Sequence, residues 1–242
     1  CGPKSVTTGT NLYVGGVAGH AAGVTTATNN GKITIEGSHT GGNNYFSGCI
    51  ADGVGNATGL SNNADIECPA TASFKVARIG GVMGYSSSNV SGTNLGCINY
   101  AATSTGTVGI AGIAYRGKIV DCVNGVEGDP TKGVVNFNGA AGSAATSGSI
   151  NFGGLAVDPY GSCSNCTNYA PINIGGSTSH TVYGGCLTYS PVDEGHTMTN
   201  CQNFGKLTIS TKAGIPGNAD RKGADCFIGG FAYNTSTSKA TH

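Results

Sequence analysis

Two clusters of charged residues have the types that cleavage of a polysaccharide would use. They are Asp121, Glu127 and Asp129 near Arg116 and Lys118, and Asp193 with Glu194 beside His196. Glycoside hydrolysis needs paired carboxylates at a defined separation, and lyase chemistry needs a base beside cationic groups. Both clusters fall in or next to irregular stretches of the sequence, where exposed loops collect charge without any catalytic role. We therefore expect no catalytic residues and do not expect an enzyme.

The stretch Cys-Ser-Asn-Cys, Cys163 to Cys166, has the spacing of a redox dithiol or of half a zinc site. Zinc would need a second ligand pair at suitable spacing, and the five histidines are scattered along the chain. A thioredoxin-like function would need a βαβ context, which the sequence does not indicate. We expect neither a bound metal nor a cofactor.

The composition excludes several classes of protein. Of 242 residues, 43 are glycine, only 10% are charged, and the formal net charge is zero. Such a chain offers no electrostatic attraction for nucleic acid, and no apolar run approaches the roughly 18 residues that insertion into a membrane requires. Ten cysteines in a chain rich in Gly, Ser, Thr and Asn indicate an oxidising compartment. We expect an extracellular or cell-surface location.

A four-residue element recurs through the chain: an apolar residue, two small residues, and a second apolar residue. Its copies are Val14 to Val17, Phe46 to Cys49, Ile79 to Val82, Ile110 to Ile113, Phe152 to Leu155, Tyr183 to Cys186 and Ile228 to Phe231. The second small residue lies at 16, 48, 81, 112, 154, 185 and 230, so four of the six intervals are 31 to 33 residues. This period indicates a repeat protein.

The copies of this four-residue element are called markers below. A second element, an asparagine, lies 12 to 18 residues after the second small residue of each of the first six markers. It stands two positions after a small or apolar residue and precedes a short alternating run such as Ile172-Asn173-Ile174. The alternation predicts strands with one buried face. Stacked repeats would place the asparagines in a hydrogen-bonded corner ladder. The expected ladder is Asn29, Asn62, Asn99, Asn124, Asn168 and Asn203.

A single repeat of two or three short strands cannot bury its apolar face alone, so the repeats must stack. The sequence therefore predicts an all-β fold, a parallel β-solenoid (right-handed β-helix) of about seven coils. We expect one domain over residues 1–242, with insertions near 125–149 and 210–226. The alternative is a seven-bladed β-propeller, although a blade normally needs four strands in about 40 residues.

Residues 79–100, IGGVMGYSSSNVSGTNLGCINY, and 152–174, FGGLAVDPYGSCSNCTNYAPINI, resemble GLUG-type repeats. Such repeats occur in bacterial surface adhesins and in stalk regions of secreted peptidases. The resemblance implies a cell-surface β-solenoid that acts as a spacer or adhesin. It carries over no catalytic residue.

The two ends of the chain resemble complementary halves of one repeat. Residues 1–8 resemble a second half and residues 228–242 a first half. This pattern fits a segment of a longer array, or a subunit that stacks head to tail on copies of itself in a filament. We expect an extracellular structural protein, a rigid filament subunit. The alternative is a surface adhesin or glycan-binding stalk module.

Four cysteines recur near the asparagine element and are expected to occupy equivalent corners in consecutive coils: Cys97, Cys122, Cys166 and Cys201. Neighbouring coils bring such residues within disulfide range, which suggests the bonds Cys97–Cys122 and Cys166–Cys201. The alternatives are a buried stack of free thiols, or pairing with Cys163. Further candidate pairs are Cys49 with Cys68 and Cys186 with Cys226.

Four asparagines lie in Asn-x-Ser/Thr sequences that permit N-glycosylation in a eukaryotic secretory protein. They are Asn56, Asn89, Asn165 and Asn234.

Overall fold

The computed structural model describes residues 5–6, 10–143, 146, 148–189, 197–210, 212–213 and 225–230. These residues form β-strands joined by tight turns, and none of them is helical. Every pairing between their strands is parallel and joins one repeat to the next. Ile98, for example, pairs with Ile66 in the preceding repeat and with Val135 in the following one.

The chain passes through four faces, A to D, in the same order on every turn. Face A holds Ser5–Val6, Ser38–His39, Ser73–Phe74, Thr103–Ser104, Ala140–Ala141, Ser177–Thr178 and Lys212–Ala213. Face B holds Leu12–Gly15, Asn44–Ser47, Ala77–Gly80, Val108–Ala111, Ile150–Gly153, Thr181–Gly185 and Asp225–Gly229. Face D holds Ile33–Thr34, Ile66–Cys68, Ile98–Tyr100, Val135–Phe137, Ile172–Ile174 and Leu207–Ile209.

Face C is the longest, and its strands are interrupted differently on each turn. It holds Ala18–Val24, Ala27–Asn29, Ile50–Asn62, Met83–Asn94, Ala114–Ile119, Val123–Asn124, Ala156–Pro159, Cys163–Ser164, Thr167–Asn168, Met198–Thr199 and Gln202–Asn203. Within it, Cys163–Ser164 and Met198–Thr199 form a separate two-stranded sheet. Face C is therefore the face whose division into strands varies most from turn to turn.

The predicted parallel β-solenoid is confirmed, and the β-propeller is wrong because consecutive repeats stack as parallel strands instead of forming separate blades. The chain completes about six turns, against the seven expected. The seven markers correspond to the seven strands of face B, and six turns lie between the first and the last of them.

Two hydrophobic cores fill the cross-section. The first lies within faces A, B and D and contains a column of aromatic rings, in which Tyr100 and Phe137 stack with centroids 5.4 Å apart. The second is enclosed by face C and contains Met83, Ile119 and Cys122. Each strand therefore presents one row of side chains to a core, as the alternating runs predict.

The sixth marker is shifted by one residue from its predicted position. Gly153 pairs with Gly185, so Cys186 lies where the preceding turn has Gly154. Gly184 then occupies the position of Phe152, and a Cβ atom on Gly184 would lie 2.4 Å from the Phe152 ring. The aromatic ring of one turn thus fills the space that the glycine of the next leaves open.

The first predicted insertion, residues 125–149, is interrupted by the strands Val135–Phe137 and Ala140–Ala141. One loop, residues 125–133, leaves the corner between faces C and D. The second predicted insertion, residues 210–226, lies mostly outside the described residues.

Candidate functional site

Six asparagines form a ladder of amide hydrogen bonds along the solenoid. Each Nδ2 donates to the Oδ1 of the asparagine one turn later, at distances of 2.8 to 2.9 Å. The ladder consists of Asn29, Asn62, Asn94, Asn124, Asn168 and Asn203. Its four inner members have no exposed surface. A buried amide is tolerated because its polar atoms are hydrogen-bonded.

The predicted ladder is right at five positions and wrong at Asn99, whose place is taken by Asn94. Asn94 pairs in register with Asn124, whereas Asn99 lies on face D. There it belongs to a second, half-buried ladder on the outside of the solenoid, with Glu67, Asn99, Asn136 and Asn173 joined at 2.7 to 2.9 Å. The Cys-x-Asn pattern pointed to the wrong asparagine in this repeat, because Cys97 directly precedes a strand of face D and not one of face C.

The inner ladder explains why glycines recur together with asparagine. The second glycine of the marker turns the corner between faces B and C and lies against the ladder. A Cβ atom on Gly112 would lie 2.2 Å from Asn124 Nδ2 and 2.2 Å from the carbonyl oxygen of Gly154. Gly48 is in similar contact with Asn62, at 2.2 Å from its Cγ. The two sequence elements thus meet between the two cores.

A further corner on face C was not predicted from the sequence. Asp121, Asn165 and Asn200 adopt the left-handed conformation, with φ of 53°, 53° and 52°. Asn200 Nδ2 donates to Asn165 Oδ1 at 3.1 Å, and Asn165 Nδ2 donates to Asp121 Oδ1 at 3.0 Å. Asp and Asn tolerate this conformation better than other non-glycine residues. The signal was present, since Asp or Asn immediately precedes cysteine in each of these repeats.

Cys122, Cys166 and Cys201 stack in equivalent positions of consecutive turns, as expected, but Cys97 does not join them. In the turn of Cys97 the equivalent residue is Gly92, because Thr93 pairs with Val123. The predicted Cys97–Cys122 disulfide is therefore wrong. The eight cysteines whose side chains are described are free thiols, so the predicted Cys166–Cys201 disulfide is wrong as well.

The remaining predicted cysteine pairs are not brought together either. Cys49 belongs to the core within face C, and Cys68 belongs to the aromatic core, so that pairing is wrong. Cys226 is in register with Val182, four residues before Cys186, and its side chain lies outside the described residues.

The buried thiols are held in their neutral form. The hydrogen bond with Cys122, together with burial, raises the pKa of Cys166 to about 12. Burial raises the pKa of Cys49 to about 11. Since the thiolate is the reactive form, these cysteines are protected from electrophiles while the chain is folded.

We expect iodoacetamide at pH 8 to label Cys97, which is half-exposed, well before Cys166. With a pKa near 12, Cys166 has a thiolate fraction on the order of 10⁻⁴ at that pH. Mass spectrometry of tryptic peptides measures both sites. In guanidinium chloride without reductant, Cys166 should react fully. Failure to react there would show that Cys166 is in a disulfide.

The outer surface at the junction of faces B and C carries alternating tyrosine and arginine side chains. The Arg78 guanidinium lies 5.2 Å from the Tyr45 ring centre and 5.1 Å from that of Tyr115. Gly109 provides room for Tyr115, because a Cβ atom there would lie 2.3 Å from the ring. Arg116 lies in the same way over Tyr85. These side chains fill the junction with mutual contacts.

An open groove of about 250 Å³ lies beside the loop that leaves the corner between faces C and D. Its lining consists of Val126, Glu127, Gly128, Asp129, Pro130, Tyr169 and Phe204. The rings of Tyr169 and Phe204 stack with centroids 5.3 Å apart and an interplanar angle of 11°. Phe204 is 64% exposed.

Side-chain contacts hold the groove's loop in one shape. Asp129 Oδ1 accepts hydrogen bonds from the backbone N and the Oγ1 of Thr131, at 2.9 and 2.6 Å. These bonds lower the pKa of Asp129. From the sequence this loop could be identified as a charged insertion, but its shape could not be predicted.

The structure separates the members of the first charged cluster: Glu127 and Asp129 line the groove, whereas Asp121 lies at the left-handed corner of face C. Asp121 accepts a hydrogen bond from Asn165, while Arg116 pairs with Asp158 at 3.6 Å. The second cluster, Asp193, Glu194 and His196, lies outside the described residues. The described part of the chain contains no group of three or more His, Cys, Asp or Glu residues arranged to hold a metal ion, and no helix suited to crossing a membrane.

Three of the four possible glycosylation sites lie on face C or at its corners. Asn56 and Asn89 are on adjacent turns, where the backbone N of Asn89 donates to Asn56 Oδ1 at 3.3 Å. Asn165 is exposed, but its Nδ2 is engaged with Asp121. Asn234 lies outside the described residues.

No protein-family model, curated protein or solved structure matches this chain. The similarity to GLUG-type repeats therefore stays a prediction, and the fold rests on the parallel stacking of the four faces.

Proposed function

We propose that this protein is an extracellular structural β-solenoid whose copies stack head to tail into a filament. The observation that carries the proposal is a pair of complementary edges on face B. Its first strand, Leu12–Gly15, and its last, Asp225–Gly229, each pair with one other strand in the described part of the chain.

The two edges are parallel strands of the same face, so the last strand of one copy can pair with the first strand of the next, as Thr181–Gly185 pairs with Asp225–Gly229 within the chain. Faces A and B each hold seven strands. A copy joined in this way lies seven rungs further along the axis, roughly 34 Å at about 4.8 Å per rung.

Apolar side chains on the terminal turns support the same arrangement. Tyr13 and Val17 are exposed on the first described turn, and Phe227 and Ile228 on the last. Edge strands with exposed apolar residues readily pair with another chain. Because the two edges are different surfaces, their contact is heterologous and extends as a filament instead of closing as a dimer.

We expect Ile228→Asp to weaken assembly while the fold is kept, because Ile228 is 39% exposed on the last described strand of face B. In the filament the next copy would cover this side chain, so the variant buries an unpaired carboxylate at the junction. Sedimentation velocity over a concentration series measures the fraction of polymer, which should fall at least tenfold at a fixed concentration. Val54→Asp, at an exposed apolar residue on face C of an inner turn, is the matched control and should assemble normally. A wild-type chain that stays monomeric, or equal assembly by all three proteins, would refute the proposal.

The second candidate is a surface adhesin or glycan-binding stalk module, and one observation favours it. The outer ladder on face D presents Asn99, Asn136 and Asn173 in a half-exposed row. Asn99 and Asn136 each use one N–H and one lone pair in the row, and Asn173 uses one N–H, so each amide retains further groups for a sugar hydroxyl. Binding to a glycan array by the wild type, lost in Asn136→Ala, would support this function.

A further inference from the structure

The corner groove combines an exposed aromatic pair with a loop fixed at both ends. Tyr169 and Phe204 each follow a ladder asparagine on consecutive turns. The corresponding positions of the preceding turns hold no aromatic ring: Asn30, Asn63, Leu95 and Gly125. The two rings thus occur only where the loop provides a wall beside them.

Both ends of the loop are bound to the preceding turn. The backbone N of Gly125 donates to the carbonyl of Asn94 at 2.8 Å, and that of Gly133 donates to the carbonyl of Leu95 at 3.0 Å. The Thr131 contacts of Asp129 fix the tip of the loop. The wall is therefore formed before any ligand arrives, which lowers the entropic cost of binding.

The lining itself carries charge of one sign; Lys132 of the same loop does not line the groove, although its charge helps to lower the pKa of Asp129. Its ionisable carboxyl groups are Glu127 and Asp129, and no Lys, Arg or His is among the residues that line the groove. Phe204 is the most exposed large apolar side chain in the described part of the chain. An exposed ring beside carboxylates attracts a cation through the ring quadrupole and through charge complementarity.

We propose that this groove binds a quaternary or methylated ammonium group, such as that of choline or trimethyl-lysine. The methyl groups contact the Tyr169 and Phe204 rings, and the carboxylates of Glu127 and Asp129 balance the charge. An unmodified lysine suits the groove less well because its compact ammonium is strongly hydrated. The inference does not depend on filament formation, since the groove lies on the flank of the rod.

The test is a titration of the full chain with choline chloride, followed by the NMR resonances of the aromatic rings. 3,3-Dimethylbutan-1-ol, the neutral carbon isostere of choline, is the matched control ligand. We expect choline to shift the Tyr169 and Phe204 resonances and to bind roughly tenfold more tightly than the isostere. Equal binding of the two, a response to methyl glucoside in place of choline, or no response to choline would overturn the proposal.

Two variants locate the site. Phe204→Leu removes an exposed ring, and Glu127→Gln removes a carboxylate; both should weaken choline binding several-fold. Tyr160→Leu removes a ring that is 43% exposed but lies outside the groove, and should leave binding unchanged. If Phe204→Leu alters the fold by circular dichroism, Glu127→Gln decides alone. Wild-type binding by Glu127→Gln would then overturn the proposal.

Discussion

Replacing Asn124 with aspartate is expected to lower the free energy of unfolding by about 3–5 kcal/mol, the cost of an uncompensated buried charge. Asn124 has no exposed surface; its Oδ1 accepts from Asn94 at 2.9 Å and its Nδ2 donates to Asn168 Oδ1 at 2.8 Å. An aspartate of the same shape loses the donor and places a carboxylate oxygen against the oxygen of Asn168. Guanidinium denaturation followed by far-ultraviolet circular dichroism measures the change.

The matched control is Asn136→Asp in the outer ladder, where the amide is half-exposed. There we expect a loss of about 1 kcal/mol, that of one ordinary hydrogen bond. Equal losses at the two sites would mean that burial of the inner ladder does not determine its importance. The difference between the variants is therefore the informative quantity.

The substitution Gly112→Ala is expected to destabilise the protein by about 3 kcal/mol or more, at the upper end of overpacking effects. The added Cβ would lie 2.2 Å both from Asn124 Nδ2 and from the carbonyl oxygen of Gly154. The latter contact involves backbone, so rotation of a side chain cannot relieve it. The turns would have to separate at this corner, which stretches the parallel hydrogen bonds on both sides.

Thermal denaturation compares Gly112→Ala with Gly31→Ala. At Gly31 the nearest atom to an added Cβ is Asn29 Oδ1, at an ordinary 3.8 Å. This control should change stability by no more than about 0.5 kcal/mol, as is usual for a surface substitution. Similar effects of the two would contradict the close approach of the B–C corner to the ladder.

The fold could be predicted because its period is carried by residues that meet one another. The glycine pair and the ladder asparagine recur together since each restricts the space of the other. Alternating runs such as Ile172-Asn173-Ile174 identify face D for the same kind of reason, as one face of the strand is buried. The close contact of glycine with asparagine and the burial of one strand face recur on every turn of the solenoid. They therefore leave a periodic pattern that a single sequence shows.

The register of the strands was less predictable, because a change of side-chain size on one turn can be balanced by the opposite change on the next. Gly184 lies opposite Phe152 and accepts its ring, which shifts the sixth marker by one residue. Asn94 and Asn99 stand five residues apart in the same repeat, and only strand pairing shows which of them faces the ladder. The cysteine error followed directly from this choice, since Cys97 was aligned through Asn99.

The loop of the groove could be predicted from the sequence, whereas its aromatic pair could not. Its loop is evident in the sequence as a charged insertion with glycines at 125, 128 and 133. The pairing of Tyr169 with Phe204 depends on register across 35 residues of chain of uneven repeat length. Because no local pattern links the two rings, only the stacked structure brings them beside the loop.

Cryo-electron microscopy of the assembled full-length chain is the most direct test of head-to-tail stacking. The account predicts filaments in which each subunit advances by roughly 34 Å, the length of the seven rungs of faces A and B at about 4.8 Å per rung. Pairing of Asp225–Gly229 with Leu12–Gly15 of the next copy should be resolved at the junction. Short rods that remain separate at every concentration, or filaments joined through the flanks of the solenoid, would contradict it.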